Sequence, residues 1–352
     1  MFEIQNTLSF NKDKLVFGNE YDYVTRTSLN QGILQTTGFV NKENLNDSGT
    51  WSLGLLQMDF FYRRKPWYAG QFVRKIIPKF KLTESTVLYF STLLNMQKKK
   101  LLAVLVRNVD ETFKNLTFSL PITAEGEIDF DFMESFIREL EEERIRELAA
   151  YLKVSGLDNY KLSKCESEAL AHFNELKWKE FKVTDIFSVK NTHNILSNEI
   201  VKDSGNIPYL CASAENNSVS SYISFNADYL DEGNCIFIGG KTFVVSYQES
   251  DFFSNDSHNL ALYLKQNDLR TEKNQLYLAA CVRKGLQHLY SWGDSISNKK
   301  IQKDVFMLPV KDGVPDYDAM ETFISAVQKL VIKDVVLYAD RKIAVAKAAI
   351  KN

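Results

Sequence analysis

Few residues in this chain have the type and spacing to do chemistry. Gly239-Gly240-Lys241-Thr242 has the end of a phosphate-binding loop, but Cys235 stands where that pattern needs its earlier glycine. The run also lies between two strand-like segments, whereas the loop needs a helix to follow it. His172, His193, His258 and His288 share no HxxxH or HxH spacing, and Cys165, Cys211, Cys235 and Cys281 form no CxxC pair, so no metal cluster is expected. There is no GxSxG elbow, no Asp-Pro-Pro-Tyr or Asn-Pro-Pro-Tyr amino-methylation motif and no carboxylate–Glu–Lys nuclease signature. A cysteine–histidine pair such as Cys211 with His258 fits core thiols and surface imidazoles better than a nucleophile and its base. What remains is binding chemistry. Tyr62-Arg63-Arg64-Lys65-Pro66-Trp67-Tyr68 interleaves basic and aromatic side chains, with Arg74 and Lys75 nearby.

The elements that position these residues come twice. Tyr23-Val24-Thr25-Arg26-Thr27 falls opposite Tyr209-Leu210-Cys211-Ala212-Ser213 at an offset of 186, and Leu53-Gly54 opposite Ile238-Gly239 at 185. Leu120-Pro121-Ile122 precedes Gly126, Asp129-Phe130-Asp131, Met133-Glu134 and Phe136-Ile137. Leu308-Pro309-Val310 precedes Gly313, Asp316-Tyr317-Asp318, Met320-Glu321 and Phe323-Ile324, at offsets of 188 and then 187. A period this long means two copies of one domain rather than a solenoid.

Each copy reads as a mixed α+β globule. Tyr209-Leu210-Cys211 and Tyr222 to Phe225 are strand candidates. Ile236 to Gly240 and Thr242 to Val245 read as a hairpin turning at Gly240 and Lys241. Ser85 to Asn95 and Gln275 to Gln287 read as helices. Each globule then gives way to a long helix with an acidic start. Met133, Phe136, Ile137, Leu140, Ile145, Leu148 and Leu152 form one apolar stripe. Met320, Phe323, Ile324, Val327, Leu330, Val331 and Tyr338 form the other. Each stripe must be buried, against its own globule or against the other helix, and two helices built alike favour pairing with each other as a coiled coil. The expected boundaries are residues 1–122 and 159–310 for the globules, and 123–158 and 311–352 for the helices.

The 352 residues carry 43 basic and 45 acidic side chains, a formal charge of −2, which excludes a uniformly basic nucleic-acid coat. The near-neutral total hides a division. Residues 1–120 have 16 basic and 10 acidic side chains (+6), and residues 121–160 have 4 and 11 (−7). No apolar run is long enough for a membrane span. With no leader-like start and four cysteines read as free thiols, a reducing cytoplasm is the expected location.

Two α+β globules in tandem, each trailing a long helix and lacking a catalytic set, resemble the specificity subunit of type I restriction-modification systems. The resemblance is carried by Trp178-Lys179-Glu180-Phe181-Lys182-Val183-Thr184-Asp185-Ile186-Phe187-Ser188-Val189 at the start of the second globule. Asn206-Ile207-Pro208-Tyr209-Leu210 after it and the two Leu-Pro exits add to it. It implies two target recognition domains, each reading one half of a split double-stranded DNA target, held apart by an antiparallel coiled coil. It implies two methyltransferase subunits docked on the helices and restriction subunits joining through the complex. The subunit itself is then no enzyme, and S-adenosylmethionine, ATP and Mg are bound by its partners. A type IIB companion fits the same pattern, and a scaffold or decoy that binds the methyltransferase without reading DNA is the competing reading. One feature departs from the doubling. The lead-in from Leu176 to Asp185, about ten residues, has no counterpart before Met1-Phe2, so either the reading frame starts late, the assigned start is wrong, or a partner completes the edge.

Given that resemblance, DNA contacts are expected at Tyr62, Arg63, Arg64 and Lys65, with arginine suited to guanine O6 and N7 or to phosphate. A second patch is Thr25, Arg26, Thr27 and Asn30. In the second globule the candidates are Ser213, Asn216, Asn217, Lys241, Asn255 and His258, with charge added by Lys190 and His193. Asparagine suits adenine N6 and N7, but Asn and Ser are also ordinary turn formers, and a basic cluster is also an ordinary solvated loop.

Overall fold

The computed structural model describes residues 1–351 and divides into two units. Unit 1 is Met1–Leu148 together with the helix end from Lys342, and unit 2 is Ala149–Arg341. Both boundaries fall inside long helices, Phe130–Val154 and Tyr317–Lys351.

In unit 1 one antiparallel sheet runs in the order Phe2–Asn6, Val73–Pro78, Thr50–Gly54, Asp59–Arg63. Its apolar face carries Trp51, Leu53, Phe60 and Ile76, all 1% exposed or less. These pack on Val87, Phe90 and Leu94 of helix Glu84–Met96, where the spacing of three to four residues puts them on one stripe. Thr83 caps that helix in a reciprocal box with Thr86. Asn95 fastens its last turn to the sheet, accepting from the Phe60 N–H at 3.0 Å and donating to the Phe60 carbonyl at 2.9 Å. A second sheet runs Ile33–Thr37, Tyr21–Val24, Trp67–Ala69, Leu45–Asn46, and its middle pair is parallel.

Unit 2 repeats the plan. Its first sheet is Phe187–Asn191, Leu260–Leu264, Cys235–Ile238, Val245–Gln248, packed on helix Glu272–Leu286 through Leu278, Val282 and Leu286. Its second is Val219–Ile223, Ile207–Leu210, Phe253–Ser254, again with a parallel pair. It adds a third, Val314–Pro315, Val305–Lys311, Trp178–Lys182, of which unit 1 has a single antiparallel bridge, Ile122 to Ile128. The sheet-and-helix content is thus the expected α+β pair in tandem.

The long helices start alike. Asp129 Oδ1 accepts from the Phe132 N–H at 2.8 Å, and Asp316 Oδ1 from the Ala319 N–H at 3.0 Å, so each acidic start is an N-cap. The stripes differ from the expected ones. Met133, Ile137, Ile145 and Leu152 are buried, but Phe136 and Leu140 are exposed; in the last helix Met320 is buried while Leu330 and Val331 are exposed. Ala326, Val336 and Ala339 are buried there instead. The hairpin expected at Gly240 and Lys241 also differs. Its strands end at Ile238 and resume at Val245, and residues 239–244 form a wider turn closed by the Phe243 N–H on the Gly239 carbonyl at 2.9 Å. Cys235 and Cys281 have their thiols pushed up to about 12 by burial, as suits packing rather than reactivity.

Candidate nucleic-acid interface

In each unit three loops meet at one end of the sheets. In unit 1 the parallel strands Tyr21–Val24 and Trp67–Ala69 run out side by side into Thr25-Arg26-Thr27 and Gly70-Gln71-Phe72. The turn Leu55-Leu56-Gln57-Met58 comes up beside them, closed by the Met58 N–H on the Gly54 carbonyl at 2.8 Å and anchored by the Leu55 N–H on the Phe72 carbonyl at 2.9 Å. Gly54 allows the approach, since a Cβ there would lie 2.9 Å from Arg26 Cα. Between the loops lies an open cleft of about 670 Å³ lined by Asn11, Lys12, Thr25, Arg26, Gln57 and Gln71 among others. The exposed Arg26 guanidinium lies over the Phe72 ring at 5.2 Å, which restrains a flexible cation without consuming its donors.

Unit 2 builds the same end on different side chains. Tyr209 and Leu210 run parallel to Phe253 and Ser254, leading to Cys211-Ala212-Ser213 and Asn255 to His258. Gly239 takes the place of Gly54, with a built Cβ only 2.7 Å from Ala212 Cβ. Lys241 on the third loop pairs with Asp256 at 3.3 Å, and His258 Nδ1 lies 2.7 Å from the same carboxylate. Burial works to raise the Asp256 pKa, but the bonds from His258 and Lys241 outweigh it and hold the carboxyl below its ordinary value. Thr242 Oγ1 donates to the Ala212 carbonyl at 2.9 Å, tying the third loop to the first.

The repeat settles what Thr27, Asn30, Ser213 and Asn216 do locally. Thr27 Oγ1 accepts from the Leu29 N–H at 3.1 Å, as Ser213 Oγ accepts from the Glu215 N–H at 3.1 Å. Asn30 Nδ2 donates to the Ile33 carbonyl at 3.2 Å, as Asn216 Nδ2 donates to the Val219 carbonyl at 3.0 Å. Both asparagines open a left-handed run of three residues, with φ of +45° to +78° in unit 1 and +47° to +69° in unit 2. Asn tolerates that conformation, so these four side chains build the loop. Asn217 Nδ2 donates to the Tyr247 carbonyl at 2.9 Å, and Asn255 Oδ1 accepts from Asn259 Nδ2 at 3.1 Å.

The basic–aromatic cluster lies elsewhere. Arg63 pairs with Thr50 and Asp59 with Gly54, so Arg64 and Lys65 leave the strand at the end away from the Leu55 to Met58 turn. Arg63 is a correction to the expected surface contact. It is 2% exposed, and it donates to Ser52 Oγ and the Gln31 carbonyl. Burial lowers its pKa to about 10, which leaves it charged at neutral pH and committed inside the fold. Tyr62 packs edge-on against Trp51 at 4.9 Å. Arg64 pairs with Glu84, and Lys65 pairs with Asp22 at 2.9 Å. Lys190 lies over the Tyr263 ring at 4.8 Å, and His193 Nδ1 lies 3.0 Å from Asp231, whose carboxyl is raised by burial.

Sequence reading missed Asn11, Lys12, Gln57 and Gln71 in the first cleft, and Thr242 and Asp256 in the second loop cluster. The doubling held a signal for one of them: Lys241-Thr242 lies 185 residues after Leu56-Gln57. Among the described residues no group of three His, Cys, Asp or Glu side chains is placed to hold a metal, and no helix is long and apolar enough to cross a membrane.

A family model described as the type I restriction modification DNA specificity domain matches residues 1–150 and 175–336. The specificity subunit S.BcgI of a type II restriction enzyme from Heyndrickxia coagulans is 25% identical over 156 residues, 44% of this chain and 45% of that protein. The match thus spans about half the length of that relative. The crystal structure of a type I restriction-modification S subunit from M. genitalium aligns with a TM-score of 0.54 at 14% identity, covering 99% of this chain and 91% of that one. That likeness is one of fold.

Proposed function

The chain belongs to the family of type I restriction-modification DNA specificity domains, and from that premise we propose that it reads a split double-stranded DNA target, one half through each unit's loop end. The observation that carries this reading is the recurrence of one three-loop frame with different side chains on it. Gly54 and Gly239 hold the frame closed, while Arg26, Gln57 and Gln71 in one copy give way to Ala212, Thr242 and the Lys241–Asp256–His258 cluster in the other. A duplicated frame with divergent rims suits two half-sites of different sequence. Arginine and glutamine in the first cleft match the bidentate edges of guanine and adenine. Lys12 and the basic character of residues 1–120 supply phosphate attraction.

In this reading the subunit is not catalytic. Two methyltransferase subunits and, through the complex, restriction subunits do the chemistry in the cytoplasm, and they bind S-adenosylmethionine, ATP and Mg. The long helices pair as an antiparallel coiled coil that sets the gap between half-sites. The Lys342–Glu141 pair at 3.6 Å joins the two helices within unit 1 and supports this, and the exposed Phe136, Leu140, Leu330 and Val331 offer apolar surface for docking. The test is base-resolved mapping of methylated adenines in a host with and without the chain. A split motif that appears with the chain is expected, and an unchanged methylome in the presence of a working methyltransferase would reject the proposal. Four residues inserted after Leu148 and again near Val335 lengthen each helix by about 6 Å and should widen the gap without changing the bases read.

A further inference from the structure

Unit 2 has a fourth loop at the end where its other three meet. Helix Glu272–Leu286 leads into Tyr290-Ser291-Trp292-Gly293-Asp294, a tight turn closed in both directions. The Ser291 N–H reaches the Asp294 carbonyl at 3.2 Å, and the Asp294 N–H reaches the Ser291 carbonyl at 3.1 Å. The Tyr290 ring stacks on Phe243 of the third loop, with centroids 5.3 Å apart. Just beyond the turn, Asn298 Nδ2 donates to Asn191 Oδ1 at 3.0 Å, and Asn191 Nδ2 donates to the Ser257 carbonyl at 2.7 Å. The turn is thus tied to both the 239–244 loop and the 255–258 loop of the candidate interface.

The base of the turn is braced and its tip is not. Lys300 lies over the Tyr290 ring at 5.9 Å, pairs with Asp294 and donates to the Ser295 carbonyl at 2.7 Å, while the Tyr290 hydroxyl donates to Asp304. Ile296 is buried behind them. Trp292 at the tip is 80% exposed, and a Cβ built on Gly293 meets nothing within 4 Å. A large ring held out on a braced turn loses little freedom when something packs on it, which is what an aromatic anchor needs. The charge around it points to the partner. Residues 281–303 carry five basic side chains, Arg283, Lys284, Lys299, Lys300 and Lys303, and one acidic, Asp294, although residues 161–315 as a whole carry 17 and 19. Lys300 answers Asp294, whereas Lys299 and Lys303 are exposed and stand in no ion pair among the described residues. A ring beside open cations, continuous with loops already facing a duplex, suits a polyanion that offers sugar faces between its charges.

We propose that the Trp292 turn is a further DNA contact of unit 2, with the indole packed on a deoxyribose flanking the half-site and Lys299 and Lys303 on the adjoining phosphates. The proposal rests on the reading of unit 2's loop end as a DNA interface and adds to it an element that reads no base. Sugar and phosphate are the same at every step, so this contact sets strength and register without specifying sequence. In unit 1 residues 103–108, which lead from helix Lys98–Leu102 to helix Val109–Lys114, are Ala-Val-Leu-Val-Arg-Asn and hold no aromatic ring. The contact therefore belongs to one half of the target alone.

The test is a salt-titrated binding assay of the full chain, assembled with its methyltransferase, on a duplex carrying the split target that methylation mapping gives. Trp292→Ala removes a side chain that the fold does not bury, and it should weaken binding roughly fivefold while the methylated motif keeps every base. Trp292→Phe should keep most of the affinity. Replacing Lys299 and Lys303 with Ala together should lower the slope of log K against log salt by about 1.8, at 0.9 for each phosphate. Trimming one flank of the duplex, and only one, should erase the difference between the parent and Trp292→Ala. The proposal is overturned if Trp292→Ala binds as the parent does, if its motif changes at any base, or if the difference survives trimming of either flank. It is also overturned if the variant holds the methyltransferase more weakly in the absence of DNA, which would make the turn a protein-docking tip. A parent assembly that binds no split target overturns the DNA-interface reading itself, an outcome distinct from a parent that binds and variants that match it.

Discussion

Where unit 1 carries the exposed Arg26 over Phe72, unit 2 carries Ala212, with Lys241 and His258 drawn onto Asp256. One rim presents a cation held in place with its donors open. The other presents charges that largely answer each other. The backbone beneath is the same, down to the glycine that lets the third loop touch the first and the left-handed Asn turn. Such a frame tolerates exchange of its rim because much of the loop closure is made by side chains other than Arg26, Gln57 and Gln71 of the first cleft. Thr27, Asn30, Ser213 and Asn216 do the closing.

Arg63 gives the sharpest contrast and the largest expected effect. Arg63→Met should lower the unfolding free energy of unit 1 by about 3 kcal/mol, because Ser52 and the Gln31 carbonyl lose a buried charged partner. Its counterpart in unit 2 is the neutral Gln248, which donates to the Asn217 carbonyl at 2.9 Å, and Gln248→Leu should cost only about 1 kcal/mol. Denaturant unfolding with a probe in each unit measures both. Equal losses would show that the two positions are not built differently.

Next come the two glycines. Gly54→Ala and Gly239→Ala should each cost about 2 kcal/mol, since the new methyl meets Arg26 Cα or Ala212 Cβ inside contact distance. Each should erase recognition of one half-site and leave the other intact. Loss of both half-sites from either variant would break the picture of two independent frames.

Arg26→Ala should weaken DNA binding by about 1–3 kcal/mol if the guanidinium meets a base, with relaxed specificity at one position. If it meets phosphate, the slope of log K against log salt falls by about 0.9. Lys241→Ala should do less, because that charge is already paired with Asp256. Arg64→Ala, at the far end of its strand, should leave affinity and slope unchanged in a salt-titrated binding assay.

The smallest effect is a pH dependence confined to unit 2. The Asp256 carboxyl sits below its ordinary value, so its contribution is present above the unfolded pKa near 4 and is lost as pH falls through the folded value. Asp256→Asn should cost about 1 kcal/mol or less at neutral pH, and the difference from the parent should vanish in acid. A difference that persists below the folded pKa would assign the loss to packing.

Much of this is legible in the residues. The repeat by itself implies two copies of one domain, and the apolar spacing of Glu84–Met96 and Glu272–Leu286 marks their helices, because burial periodicity is a local property of sequence. Arg63 is not legible in that way. A basic–aromatic run reads as surface, and only the adjacent strand Thr50–Gly54 and the turn Leu29–Gly32 supply the Ser52 hydroxyl and Gln31 carbonyl that pull the guanidinium inward. The expected stripe residues Leu330 and Val331 fail for a related reason: helical spacing names a face, but the neighbour decides how wide that face is.

The order of elements, the doubling and the acidic starts at Asp129 and Asp316 are all set by which residues follow which, and the sequence by itself determines them. Tertiary structure decided which side chains share a cleft. Gln57, Gln71 and Arg26 are far apart along the chain and meet because two strands run parallel while a glycine admits a third loop. It also decided that residues 116–120, strand-like by pattern, remain outside every sheet. A strand needs a partner for its backbone donors, and a partner is a matter of position in space.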